Sequence, residues 1–184
     1  LGCNLLYATG GEPMIHDGYP LLCRFVGDRP GTHLVTLTNA LAAPKLRPVL
    51  NRLPRDRFHF QVSLDGPAAI HDHLRGAGCF GRTEQGIGIL QELGFPVALA
   101  MVVDHQSAEH MEWLVTEAAR LGVSSIHYLW YFVKGQGSAV NLPAIDAISA
   151  GLDRAYTLSK TLGVAVDNVE ILRSQVLSLP GTRY

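Results

Sequence analysis

The stretch Leu5-Leu6-Tyr7-Ala8-Thr9-Gly10-Gly11-Glu12-Pro13 decides how the rest of the chain is read. Leu5 to Ala8 is a short apolar run that reads as a buried strand, and it stops at two glycines and a proline. Paired glycines let a backbone turn tightly and present its polar groups to a ligand, while Pro13 stiffens the exit into a helix. A carboxylate at Glu12 can pair there with a ligand ammonium. Taken alone, the same four residues are equally an ordinary strand-to-helix turn.

Working outward, strand and helix alternate with little interruption. Helical spacing of Leu21, Leu22, Phe25 and Val26 predicts a helix over His16 to Val26, and β-branched alternation predicts a strand over Thr32 to Asn39. Leu46, Val49, Leu50 and Leu53 mark a helix from Ala43 to Leu53, closed by Pro54. Phe58 to Leu64 is a strand ended by Asp65-Gly66-Pro67. A glycine-rich stretch from Arg75 to Gly81 leads into a helix from Arg82 to Leu93. Pro96 to Val103 and Ser125 to Val133 read as strands, and Glu109 to Leu121 and Pro143 to Leu162 as helices. One more strand and a short helix are expected between Val164 and Leu179. Strands apolar on both faces, each followed by a helix, indicate an α/β fold with a parallel sheet. Gly10 to Glu12, Asn39, Asp65 and Asp104 all follow strands, where a barrel gathers its active site, so a partial (β/α) barrel of the TIM type is expected over an open doubly wound sheet.

One place breaks the alternation. Leu1 to Leu5 looks like the end of a strand, yet Leu6 begins the next at once, and parallel strands need a crossover of about a dozen residues. Either the first residues are a lead-in, or a loop and helix are missing between Leu5 and Leu6, leaving the first βα unit largely absent. The expectation is therefore a single domain over residues 1–184, with an extension after Tyr184 in the complete protein.

Composition narrows the function classes. The 184 residues carry a formal net charge of −1 with 17% charged side chains, so nothing marks a nucleic-acid or membrane surface. No run is long enough to span a membrane and no secretion signal is evident, which makes the cytoplasm the expected compartment. Cys3, Cys23 and Cys79 are too few and too scattered for a disulfide framework or a metal site by spacing.

A second segment adds to the glycine turn. Gln61-Val62-Ser63-Leu64-Asp65-Gly66-Pro67 is followed by His71-Asp72 and Arg75-Gly76. Ser63 and Asp65, two apart, are expected on one strand face, and Arg75 offers a planar fork suited to a carboxylate. Singly, these are a cap, a turn histidine and a solvated arginine; together they suggest a site. The aromatic run His127 to Phe132, with Lys134-Gly135, reads first as core and second as a substrate platform. His16, His33, His59, His105 and His110 show no metal-ligand spacing, and Asp104-His105 stands at a strand end where it can line the mouth.

From Leu6 to Gly137 the sequence resembles radical S-adenosylmethionine (SAM) enzymes, particularly the SPASM-type members that modify peptides and proteins. The resemblance rests on Tyr7 to Pro13, Leu37-Thr38-Asn39-Ala40, Ser63 to Pro67, His71-Asp72, Arg75-Gly76, Gly78-Cys79-Phe80 and Val97 to Val103. It implies that Gly10, Gly11, Glu12 and Pro13 hold the SAM amino group, and that Ser63 and Arg75 hold its carboxylate or ribose. Asn39 stands in the family's Thr-Asn-Gly position, with Ala40 in place of glycine. Val103 lies against the adenine, and Asp65 is the catalytic candidate on the substrate side.

The resemblance also implies a [4Fe–4S] cluster held by three cysteines in a C-x3-C-x2-C loop. Only Cys3, in Gly2-Cys3-Asn4-Leu5, matches it, at the same place where the crossover is missing. The implied reaction is reductive cleavage of SAM to a 5′-deoxyadenosyl radical that abstracts hydrogen from a peptide or protein, with a flavodoxin or ferredoxin as reductant. Two rivals stand beside it: a cluster-less barrel that binds SAM or a peptide, and an unrelated β/α hydrolase or lyase using Glu12 and Asp65.

Overall fold

The computed structural model describes residues 4–133 and 137–169. Six strands and six α-helices alternate: β1 (Leu5–Ala8), α1 (Tyr19–Gly27), β2 (His33–Thr38), α2 (Ala43–Leu50), β3 (Phe58–Ser63), α3 (Ala68–Arg75), α4 (Cys79–Glu92), β4 (Val97–Val103), α5 (Met111–Arg120), β5 (Ser125–Trp130), α6 (Ile145–Leu162) and β6 (Ala165–Val166). The strand order is β1-β2-β3-β4-β5-β6 with β1 and β6 as the ends, the order of a partial barrel and not of a closed one. The described residues divide into two compact units, residues up to Leu64 with Ala68–Ala98, and Asp65–Pro67 with the residues from Leu99 on. The tail helix expected before Leu179 lies outside the described residues.

In the first unit β1, β2 and β3 pair in parallel, with Leu6 opposite Leu34 and Thr36 opposite Phe60. Leu34, Phe58, Phe60 and Val62 are buried, each large apolar side chain contributing about 1.5–3 kcal/mol relative to exposure. The expectation of strands apolar on both faces is corrected here. The other face carries Tyr7, which is exposed, and the half-buried His33, His59 and Gln61, so its side chains are polar or amphipathic. His33 and His59 stack there at 6.1 Å between centroids, and burial together with the His33 charge lowers the His59 pKa.

The helix expected from His16 begins only at Tyr19. Pro13–Ile15 forms a 3-10 turn, His16 is extended, and its Nδ1 accepts from the Gly18 amide at 3.0 Å. Gly18 then starts α1, with Pro20 in the first turn. The apolar stripe also differs from the expected one: Tyr19, Cys23 and Val26 face the sheet, whereas Leu21 and Phe25 are exposed and Phe25 lies under the Arg29 guanidinium. Tyr19 and Thr36, both buried, satisfy each other through a 2.9 Å hydrogen bond.

Cys23 is fully buried, as its place on an apolar face suggests. Burial pushes its thiol from 9.0 up to about 11, against a smaller downward pull from the Tyr19 hydrogen bond, and burial raises the Tyr19 phenol in the same direction. The folded state therefore holds these protons more tightly than the unfolded chain. The stability this supplies is complete below about pH 9 and is lost as pH rises toward 11. Urea melts from pH 8 to pH 11 are expected to show the midpoint falling with pH, and less steeply in Cys23→Ala.

The helix α3, read beforehand as loop, lies between Pro67 and Gly76, and Gly76 has a φ of 103°. Asp72 on this helix accepts from the amides of Gly78 at 2.8 Å and Phe80 at 2.7 Å. Those two bonds hold its carboxyl below the usual range, and they start α4 at Cys79, one turn before the expected Arg82. In the second unit, Gly151, Ala155 and Ser159 form the buried seam of α6. The absence of a side chain at Gly151 brings α6 close to Met111 and Ala108.

Candidate functional site

The turn after β1 is tied to the end of β2 through one carboxylate. Glu12 caps the 3-10 turn that Pro13 opens, its Oε1 accepting from the Met14 amide at 3.1 Å. The same oxygen accepts from the Thr38 hydroxyl at 2.6 Å, and Oε2 accepts from the Asn39 amide at 2.7 Å. A carboxylate has about four acceptor sites, so three donors leave room for one more. Glu12 is thus first a brace and only then a partner for an ammonium. That engagement also makes it a poor general base for a hydrolase or lyase.

Asn39 and Ala40 follow from the same network. The Asn39 side chain accepts from the Leu41 amide at 3.0 Å and the Thr38 hydroxyl from the Ala40 amide at 3.0 Å, while the Thr83 hydroxyl of α4 donates to the Asn39 carbonyl at 3.1 Å. Ala40 is held at φ 59°, a left-handed conformation that costs an L-residue about 1–2 kcal/mol. Gly86 on α4 allows this, because a Cβ there would meet the Ala40 carbonyl oxygen and lie 2.8 Å from its Cβ. The expected departure from Thr-Asn-Gly at Ala40 thus falls at the position whose backbone favours glycine. Thr38, Thr83 and Gly86 were not singled out from sequence; their roles come from contacts 26 to 46 residues away.

Gly10 turns at φ 99°, and neither Gly10 nor Gly11 has another atom within 4 Å of where a Cβ would stand. The turn borders a cavity of about 790 Å³ lined by Tyr7, Gly10, Gly11, Glu12, Ile15 and Tyr19 among others. That volume falls within the range of about 300–1,000 Å³ that holds small ligands and cofactors. The turn, its spare acceptor and its open flank fit the amino end of SAM.

Of the remaining expected residues in this unit, Ser63 is half-buried at the C-terminal end of β3 and Arg75 is exposed at the end of α3. The expectation that Ser63 and Asp65 share a strand face is corrected, because β3 ends at Ser63 and the period of two stops there. Asp65 instead is 3% exposed, and its Oδ1 accepts from the Val102 amide at 3.3 Å.

In the second unit Val103 ends β4, fully buried, beside an apolar cavity of about 580 Å³ bordered by Trp130, Leu142, Ile148 and Leu152. Asp104 does not serve as a free strand-end acid: its Oδ1 accepts from Gln106 and Ser107 amides at 2.9 and 2.8 Å. The aromatic run splits. Tyr128 is core, its hydroxyl donating to the Met111 carbonyl at 2.7 Å, whereas Phe132 is exposed. Lys134 and Gly135 lie outside the described residues.

The iron–sulfur cluster does not fit the side chains described. Cys3 lies outside them, Cys23 is sealed under α1, and Cys79 is buried, its thiol donating to the Arg75 carbonyl. Among the described residues no group of three His, Cys, Asp or Glu can hold a metal ion. Leu5 and Leu6 are consecutive residues of β1, in register with His33 and Leu34.

No protein-family model and no curated protein matches this sequence. Solved structures share its fold. Streptococcus suis SuiB bound to precursor peptide SuiA superposes with a TM-score of 0.73 at 16% identity, covering 88% of this chain and 37% of that one. The enzyme anSMEcpe with bound AdoMet gives 0.75 at 14% identity, covering 97% and 51%. A domain of pyruvate-formate lyase-activating enzyme from Bacteroides vulgatus gives 0.64 at 17% identity, covering 86% and 96%. The chain spans about half or less of the length of the first two. Its six strands and covering helices are the partial (β/α) barrel of the radical SAM enzyme core.

Proposed function

We propose that this chain binds SAM through the turn Gly10 to Pro13 and forms the core of a radical SAM enzyme acting on a peptide or protein. The observation that carries the reading is the braced turn: Glu12 fixed by Thr38, Asn39 and Met14, with open space at Gly10 and Gly11. In this reading the backbone carbonyls of the turn and the spare Glu12 acceptor take the SAM ammonium. Ser63 and Arg75 serve its carboxylate or ribose, and Val103, beside its apolar cavity, serves the adenine. Asn39 holds the neighbouring loop in shape, and Asp65 is the candidate on the substrate side. The peptide class is supported by similarity to proteins solved with precursor and cysteine-containing peptides. A flavodoxin or ferredoxin as reductant and a cytoplasmic setting complete the reading. No helix among the described residues is long and apolar enough to cross a membrane.

The [4Fe–4S] cluster belongs to this reading only with ligands beyond those described, Cys3 being the position that matches its loop. The unbroken register of β1 through Leu5 and Leu6 favours a second reading, a cluster-less barrel that binds SAM or a peptide. Anaerobic reconstitution of the full-length protein with iron and sulfide separates the two. Absorbance near ~400 nm together with 5′-deoxyadenosine formation is the result expected of the enzyme. Neither signal, with SAM still bound, assigns the protein to the cluster-less reading.

A further inference from the structure

His127 and Asp167 form a dyad that SAM binding does not use. β5 and β6 run parallel with Ser125 opposite Ala165 and Ile126 opposite Val166, so the next pair along, His127 and Asp167, comes side by side. The period of two puts His127 on the face of β5 opposite Tyr128, and Tyr128 is the residue that reaches back to the Met111 carbonyl of α5. His127 therefore points away from the helix-covered side, with 26% of its side chain exposed and 35% of that of Asp167.

Nδ1 of His127 lies 2.6 Å from Oδ1 of Asp167. The adjoining Asn168 clamps the segment to β5, its amide donating to the Tyr128 carbonyl at 2.9 Å and its Oδ1 accepting from the Tyr128 amide at 3.4 Å. A carboxylate against Nδ1 keeps the proton on that nitrogen, which leaves the lone pair of the neutral ring on Nε2.

We propose that His127 is a proton-accepting site for a hydroxyl or thiol of a ligand bound on this face of β5, with Asp167 as its positioning residue. In the step the ligand's O–H or S–H bond breaks, its electron pair stays on the oxygen or sulfur, and the proton forms a bond to Nε2. The imidazolium so made is offset by the adjacent carboxylate, and no oxidant or reductant is required.

Diethyl pyrocarbonate modification of the whole chain at neutral pH, mapped by peptide mass spectrometry, tests the site without a known ligand. His127 is expected to react faster than the half-buried His59. Asp167→Asn is expected to slow His127 by about tenfold, since a base loses much of its power in the wrong tautomer, and Asp167→Glu to restore it. Long-range nitrogen–proton NMR of the wild type is expected to show His127 protonated at Nδ1 and bare at Nε2. The proposal is overturned if His127 stays unmodified while exposed His73 reacts, or if Asp167→Asn leaves the rate unchanged. A wild-type ring protonated at Nε2 overturns it as well, whatever the variants do.

Discussion

Replacing Glu12 with alanine is expected to destabilise the chain by roughly 2–4 kcal/mol and to abolish measurable SAM binding. The carboxylate accepts three hydrogen bonds, two of them from the end of β2. Its removal leaves the Thr38 hydroxyl and the Asn39 amide to find water in a half-buried place, and it frees the glycine turn from the strand that fixes it. At about 2–4 °C per kcal/mol for a chain of this size, the melting temperature is expected to fall by roughly 10 °C in scanning calorimetry. Glu12→Gln is instructive because it keeps the size and loses one acceptor. Its amide nitrogen must face either the Asn39 N–H or the Met14 N–H, both donors, so it is expected to recover only part of the loss. A Gln variant as stable as wild type would show that the brace is not electrostatic.

The second large effect is expected at Gly86, a position in the middle of α4 where helix propensity alone favours alanine. An alanine Cβ would meet the carbonyl oxygen of Ala40, the carbonyl carbon at 2.9 Å and the Ala40 Cβ at 2.8 Å. The first two are backbone atoms in a loop already held at positive φ, so neither can swing aside as a flexible side chain could. Gly86→Ala is therefore expected to destabilise by about 3 kcal/mol, the upper end for overpacking, against a propensity gain of about 1 kcal/mol. A denaturant midpoint equal to or above that of wild type would contradict the packing described. Because Ala40 follows Asn39, the same variant is expected to weaken SAM binding while Gly88→Ala, with open space around it, does not.

How much of this was legible in the sequence depends on the range of the interaction. Periodicity and turn residues located all six strands to within a few residues, because each depends on its own run of side chains. The glycine turn and its neighbours at Asn39, Ser63, Asp65, Arg75 and Val103 were readable as an ordered set of residues. Glu12 appeared there as a ligand group, and its role as a brace required knowing that β2 ends beside it. The helix α3 was missed because its amphipathic pattern is short and interrupted by His71 and His73, although Pro67 and Gly76 flank it. The early start of α4 rests on a cap from Asp72, six residues before Gly78, beyond the spacing at which caps are recognised. Leu21 and Phe25 looked like core because helical spacing shows that a face is apolar, not which of two overlapping stripes meets the sheet. The pair His127 and Asp167, 40 residues apart, becomes visible only through the β5–β6 register.

The central claim, that the turn from Gly10 to Glu12 is a SAM cradle, is tested most directly by equilibrium dialysis of radiolabelled SAM against the folded chain, wild type beside Glu12→Ala. The expected result is saturable binding at one site per chain in the wild type and its loss in the variant. Absence of saturable binding by folded wild-type protein, or equal binding by the variant, would contradict it.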